Sequence, residues 1–299
     1  MSFDVVGVGE NSVDTVFRLP GAVAPNAKLP ILARQVSPGG QVTTALATCA
    51  SLGMNAAYIG TFGDDEEGAM LREALEQYGV DTSHSVVREV RNRSAMILVD
   101  EHSGDRTVLF ERDPRLALRP DEIPTGVIAR AKLLHIDDVD PDAAMAAAQV
   151  ARRAGVVVTS DLDRVADHTT AVLAEVSVAI LAESLPPALT GERDPERALR
   201  ALRQSCDAVL CVTLGSRGSM MLIGNELHHA PAFPVTVVDS TGAGDVFRGA
   251  FIFSMLRGDV PDEILRFANA AAAFSCTREG ALNGVPALSD VIALRRRTR

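Results

Sequence analysis

Seven short runs rich in β-branched and apolar residues recur along the chain, separated by helical stretches, and this alternation constrains the fold more than any other feature. The runs are "FDVVGVG", "AAYIGTFG", "KLLHIDDV", "GVVVTSDL", "VSVAILA", "DAVLCVTLG" and "VTVVD". Several are apolar almost without interruption, which suits strands covered on both faces. Between them, the segments Val42 to Ser51, Glu66 to Tyr78, Pro141 to Arg153 and Pro195 to Gln204 carry helical patterning. Strands joined through helices close as right-handed crossovers, so the fold class is α/β: a doubly wound, mostly parallel sheet flanked by helices.

Two segments break the alternation. Ser12 to Val36 reads as strand, Pro/Gly/Asn loop and strand, and "SAMILVDEHSGDRTVLFE" within Val90 to Glu111 reads as two alternating runs joined by a His-Ser-Gly-Asp turn. Neither packs naturally as a crossover unit. They are expected as strands at about 12–36 and 88–112 of a small sheet projecting from the single 1–299 domain, serving as a lid over a site or as a homodimer surface; ordinary surface hairpins are the simpler reading.

Composition narrows the function. A formal net charge of -10 argues against broad binding to nucleic acid or an anionic membrane, and leaves a small molecule as the expected partner. Cys49, Cys206, Cys211 and Cys276 show no CxxC spacing and sit mostly in apolar runs, as thiols of a reducing compartment do. The start "MSFDVVGVGENSVD" has no signal-peptide pattern, and no run is long enough to span a bilayer, so the expected location is the cytoplasm. The terminal "RRRTR" reads as a solvated helix end.

Several common motifs fail. GxGxxG after the first strand requires glycine at position 12, where the chain has Ser12. GxxxxGK[ST], HExxH and GxSxG do not occur, and His228 and His229 are adjacent rather than at ligand spacing on a helix. What remains is "VTVVDSTGAGDVFRGAF", Val235 to Phe251, a strand-like run entering a glycine turn and then a helix. The plain reading of Asp245 is an acidic residue at a helix N-terminus. The chemical reading is that Gly242, Ala243 and Gly244 bring backbone N–H groups close to a phosphoryl group at the positive end of the helix, while Asp245 accepts the proton of an attacking hydroxyl.

With "DSTGAGDVFRGAF" in view, the chain resembles the ribokinase-like, or PfkB, carbohydrate kinases, whose C-terminal signature it matches. The likeness extends through "SVD", "PGGQVTTALATCASLG", "YIGTFGDDEEGAMLREALEQYGVD", "VTLGSRGSMML" and "FANAAAAFSCTREGALNGVP". The resemblance implies transfer of the γ-phosphoryl group of ATP to a hydroxyl, in expectation a primary one, of a sugar, with Mg2+ and K+ as ions. It also implies Asp245 as base, Asp14, Gly39, Gly40 and Gln41 toward the acceptor's hydroxyls, and Thr213, Gly215, Gly218, Asn269 and Ala273 around the nucleotide. A monovalent cation would lie near Asp239, Thr241, Ser275, Arg278 and Gly280. The family's Asn-x-x-Glu for the magnesium water shell is eroded to Ala182 and Leu185 within "AILAESLPPALTG", leaving Glu183 nearby.

Within the family the chain looks most like the branch of sulfofructose kinase and ketohexokinase-like enzymes. Arg88, Arg91, Arg93, Arg106, Arg112 and Arg115 lie on or beside the projecting strands. One or two of them, Arg106 and Arg112 foremost, are read as meeting an anionic acceptor group, against the alternative that all are solvated. A nucleoside kinase of the same fold and a catalytically weak sugar or nucleotide sensor are the other readings.

Overall fold

The computed structural model describes residues 2–103 and 106–297, with the side chain of Arg106 outside the described set. In chain order the strands are β1 (Val5–Val8), β2 (Ser12–Leu19), β3 (Ala33–Gly39), β4 (Ala56–Ile59), β5 (Thr61–Gly63), β6 (Val86–Arg88) and β7 (Ser94–Asp100). They continue with β8 (Arg106–Glu111), β9 (Leu133–Ile136), β10 (Val157–Leu162), β11 (Val178–Ala182), β12 (Val209–Thr213), β13 (Ser219–Ile223) and β14 (Glu226–Ala230).

The main sheet has the order β14-β13-β12-β11-β10-β9-β1-β4, with every pair from β4 to β12 parallel and the β12-β13-β14 edge antiparallel. This is the expected α/β class. The chain leaves β1 toward β4 and returns on its other side at β9, so the strand order reverses between β1 and β9, where open α/β sheets place their ligands. Helices cover both faces. The helix Pro141–Arg153 shows why: Pro141 opens it, Asp142 and the Arg152–Arg153 pair match its dipole, and Ala143, Ala144, Ala147, Ala148 and Ala151 form one buried stripe. On the other face, helix Ala243–Leu256 packs against helices Gln41–Ser51 and Pro261–Ser275.

The two interrupting segments meet in a second sheet, β3-β2-β7-β8. Its register puts Asp14, Ala95 and Phe110 in one row and Thr15, Met96, Leu109 and Val36 in the next, so the two rows point to opposite faces. Gly104 and Asp105 of the proposed turn lie outside the described residues.

Three expectations need correction. "VTVVD" is not a strand: Val235–Asp239 has no ladder partner, Val237 and Val238 are exposed, and Val238 N–H donates instead to the Cys276 carbonyl at 2.8 Å. The run "AAYIGTFG" splits into β4, paired with β1, and β5, paired with β6, so the chain changes partner strand at Gly60. The basic tail is not simply solvated: Arg295 pairs with Glu263 at 2.5 Å and lies over the Phe267 ring, while Thr298 and Arg299 are outside the described residues. The β13–β14 hairpin adds a third break in the alternation that the sequence pattern did not mark.

Candidate active site

Three chain segments converge on the glycine turn. Gly242 caps helix Ala243–Leu256 with φ of +75°, and a Cβ there would fall 2.8 Å from the Ala281 Cα, so the position demands glycine twice over. The carboxylate of Asp239 accepts from Thr241 N–H at 2.9 Å and from Gly280 N–H at 2.9 Å, clipping the turn to the 276–280 loop. The first amides of a helix have no partner within it and face the N-terminal end. Of the three residues read as an anion hole, Ala243 turns its N–H back to the Ser240 carbonyl at 3.2 Å.

This turn is the wall between two cavities. On one side lies a largely apolar cavity of about 620 Å3, reaching from Ala243 and Gly244 past Phe247 to Thr213, Gly215, Gly218, Asn269 and Ala273. All five residues read as nucleotide contacts therefore line one space. Asn269 gives its side-chain amide to the carbonyls of Ala230 at 2.9 Å and Pro231 at 3.2 Å, so its donors shape the wall. On the other side a polar cavity of about 230 Å3 is lined by Asp14, Gly40, Gln41, Arg93, Arg112 and Asp245, under the inner face of the small sheet. Gly39 is packed against Asp14, a Cβ there falling 3.1 Å from its carboxylate.

The charges in the polar cavity are largely paired. Arg112 reaches Glu10 at 2.7 Å, and the buried Arg93 reaches Asp140 at 2.6 Å. Burial lifts the Glu10 carboxyl above its ordinary range against the pull of Arg112 and Arg93. Burial also lifts the Asp14 carboxyl, opposed by the Ser12 hydroxyl, which donates to it at 2.9 Å, and reinforced by the charge of Asp239. Of the other arginines named from the sequence, Arg88, Arg91 and Arg115 do not line the cavity. Arg88 pairs with Glu122 at 2.6 Å, Arg91 lies 3.9 Å from Glu111, Arg115 pairs with Asp113 at 2.5 Å, and the side chain of Arg106 lies outside the described residues.

Asp245 sits in the first turn of its helix, and burial pushes its carboxyl well above the ordinary range, with the neighbouring Asp161 adding to the rise. Asp161, from the end of β10, is fully buried and bonded to Arg248 at 2.6 Å. Neither Asp161 nor Arg248 was singled out from the sequence. The available signal was an arginine inside the apolar "DVFRGAF" and a carboxylate closing the apolar "VVTSDL", because a charge within a buried run needs a partner.

The ion ligands are less assembled. Glu183 is exposed, borders neither cavity and is hydrogen-bonded to Arg217. Among the described residues no group of three His, Cys, Asp or Glu side chains is placed to hold a metal. Mg2+ keeps waters and phosphate oxygens as ligands when it accompanies a nucleotide, which asks little of the protein. Of the residues read as monovalent-cation ligands, Asp239 and Gly280 form the loop clip, Thr241 lines the polar cavity, Ser275 donates to the Ala272 carbonyl at 2.8 Å, and Arg278 lies over the Phe274 ring. No helix among the described residues is long and apolar enough to cross a membrane.

Residues 3–288 match the family described as pfkB family carbohydrate kinase. The chain is 31% identical to "Probable fructokinase-4" of Arabidopsis thaliana, over 97% of this chain and 96% of that one. It is 29% identical to an ATP-dependent ribose-1-phosphate kinase of Halopiger xanaduensis, over 93% of each. The crystal structure of ribokinase from Thermotoga maritima superposes with a TM-score of 0.85 at 26% identity, covering 98% of this chain and 99% of that one.

Proposed function

The chain belongs to the pfkB family of carbohydrate kinases and is an ATP-dependent sugar kinase, and from that premise we propose that it phosphorylates a primary hydroxyl of a monosaccharide with Asp245 as general base. The observation that carries this reading is the glycine turn standing as a wall between an apolar cavity and a polar one, with Gly244 facing the first and Asp245 the second. ATP occupies the apolar cavity with its γ-phosphate at the helix N-terminus, and the sugar lies opposite against Asp14, Gly40 and Gln41. The hydroxyl proton passes to a carboxylate oxygen of Asp245 as the hydroxyl oxygen bonds to the γ-phosphorus. The bond from phosphorus to the bridging oxygen breaks, and its electron pair leaves on ADP. The amides of Gly242 and Gly244 hold the phosphoryl oxygens through the transfer. Mg2+ held by the triphosphate oxygens and water would supply neutralisation of the phosphate charge, and K+ would be held by the loops that Asp239 joins to Gly280.

ATP consumption with Mg2+, with and without K+, across fructose, ribose, ribose 1-phosphate, sulfofructose and nucleosides tests the reading. Turnover of a sugar supports it; binding of ATP without turnover of any of these acceptors overturns it. Arg112 is the arginine placed to meet an anionic acceptor, since its partner Glu10 leaves it about one-third exposed at the cavity. Arg112→Ala is expected to cost about tenfold or more in kcat/KM on an anionic sugar, as loss of a charge-assisted hydrogen bond does, and clearly less on a neutral one. Equal losses on both would remove the anion role.

The small sheet's outer face is the proposed homodimer surface. Val36, Met96 and Leu109 share one row there and are each at least 40% exposed, an apolar patch of the kind partners cover. Leu109→Asp is expected to shift the sedimentation coefficient from dimer to monomer. A wild-type monomer at micromolar concentration would refute the surface.

A further inference from the structure

We propose that Asp161 and Arg248 are positioning residues for the phosphoryl transfer: Asp161 hydrogen-bonds the protonated form of Asp245, and Arg248 holds Asp161 as the carboxylate that receives it. The inference rests on Asp245 being the base and adds the pair that determines where the abstracted proton stays. Nη2 of Arg248 lies 2.6 Å from Oδ1 of Asp161, with the two side chains 4% and 0% exposed. The other oxygen, Oδ2, is buried and receives no N–H or hydroxyl donor. Arg248, one turn beyond Asp245 on the same helix, holds Asp161 at Oδ1, and the Asp161 and Asp245 carboxyls interact with each other; a proton that Asp245 has taken would supply a donor to a carboxylate that has one oxygen without any. Gln41 adds a longer contact to Oδ1, at 3.4 Å.

Arg248 is built into the anion hole as well. A Cβ on Gly244 would fall 2.7 Å from Nη1 of Arg248, so the guanidinium occupies the space a side chain would take beneath that turn. A buried arginine one helical turn beyond Asp245 gives the carboxyl pair a single fixed counter-charge. With one proton the three groups sum to zero, whereas with none they leave a net negative charge buried, which is costly. The pair therefore favours keeping the proton taken from the acceptor, which makes Asp245 a stronger base than an isolated aspartate.

The other charges around the pair act from further off. Glu10, at the end of β1, faces Asp245, and Asp163 and Asp138 face Asp161; all three add negative potential. Behind Arg248 lie His135, which burial and the guanidinium push down to about 3, and the Cys211 thiol, which burial raises. Asp14, Arg93, Arg112 and Arg164 line the far side of the polar cavity. None of them bonds to either carboxyl.

The test is the pH dependence of turnover, measured with the sugar the acceptor panel identifies. Asp161→Asn removes a like charge and is expected to move the acidic limb of kcat/KM to lower pH. Arg248→Met removes the opposing charge and moves it to higher pH, each by about one unit or more for charges in contact. Arg248→Lys returns the limb to the wild-type position. The KM for ATP is expected to hold in Asp161→Asn, because Asp161 does not line the apolar cavity. A limb unmoved, or displaced in the same direction by both removals, overturns the proposal. If Arg248→Met does not fold, Asp161→Asn and Arg248→Lys decide it, through a lowered limb and an unchanged one.

A readout without an acceptor is the 13C NMR titration of the aspartate carboxyls. One carboxyl is expected to titrate above the ordinary range in wild type and to move down in Asp161→Asn; the absence of such a resonance refutes the shared proton. Full turnover in Asp245→Asn would instead sink the base assignment itself, so the two failures are distinguishable.

Discussion

Asp245→Asn is expected to lower kcat by about a hundredfold to ten-thousandfold, the range that general-base assistance supplies, while the KM for ATP stays near its original value. Asparagine fills the same space at the wall between the cavities but cannot take the acceptor's proton. In the proposed binding mode the nucleotide lies across the turn, in the cavity lined by Gly244 and Phe247. Initial rates over a range of ATP and sugar concentrations separate the two effects, and a variant that keeps its kcat would show that Asp245 is not the base.

The same substitution is expected to stabilise the fold. Burial raises the folded-state pKa of Asp245 above its value in the unfolded chain. Such a group contributes stability at low pH, where it is protonated in both states, and that contribution is lost as pH rises through the folded value. Asparagine carries no such dependence. Asp245→Asn should therefore melt above the wild type at pH 8, with the difference shrinking toward the ordinary carboxylate range near pH 4. A catalytic group retained at the expense of stability has this signature. Equal melting curves at pH 8 would mean that the carboxyl is better solvated than its burial implies.

The second large effect belongs to Gly249, one turn further along the same helix. A Cβ there would fall 2.4 Å from the carbonyl oxygen of Ala45 and 2.6 Å from Cβ of Thr48, both on helix Gln41–Ser51. An exposed helical glycine replaced by alanine gains about 1 kcal/mol in propensity. Here the obstacle is backbone, which yields only if the helices separate, and overpacking of a filled core costs about 1–3 kcal/mol. The clash is expected to win. Gly249→Ala should lower the melting temperature by several degrees, Gly249→Val by more, and both should lose activity because Asp245 rides on the displaced helix. An alanine variant that melts at or above the wild type would mean that the two helices can move apart at little cost.

Much of the architecture was legible because its determinants are local. Six of the seven apolar runs, the helical stretches and the two hairpin-like interruptions form elements where they were read, and the parallel sheet follows from their alternation. Where reading failed, a non-local contact had decided. Val235–Asp239 has the composition of a strand, but its Val238 N–H goes to the Cys276 carbonyl and the segment lines the apolar cavity. The run 56–63 is divided at Gly60, where the chain leaves β1 as partner and takes β6. In the site, the glycine turn and its aspartate stood out, whereas the arginines of the small sheet looked alike in sequence. Only their partners separate Arg112, at the cavity, from Arg88 and Arg115, which are held by Glu122 and Asp113 elsewhere.

The sequence by itself determined the fold class and the family, because strand and helix periodicity, turn chemistry and the "DSTGAGDVFRGAF" stretch are written in neighbouring residues. The tertiary structure alone decided which charges meet. It set Asp161 of one strand against Arg248 and Asp245 of a distant helix, and it joined the loops at Asp239 and Gly280. Burial and charge pairing depend on where the chain returns in space, and in a low-dielectric interior those contacts, rather than residue type, determine where a proton resides.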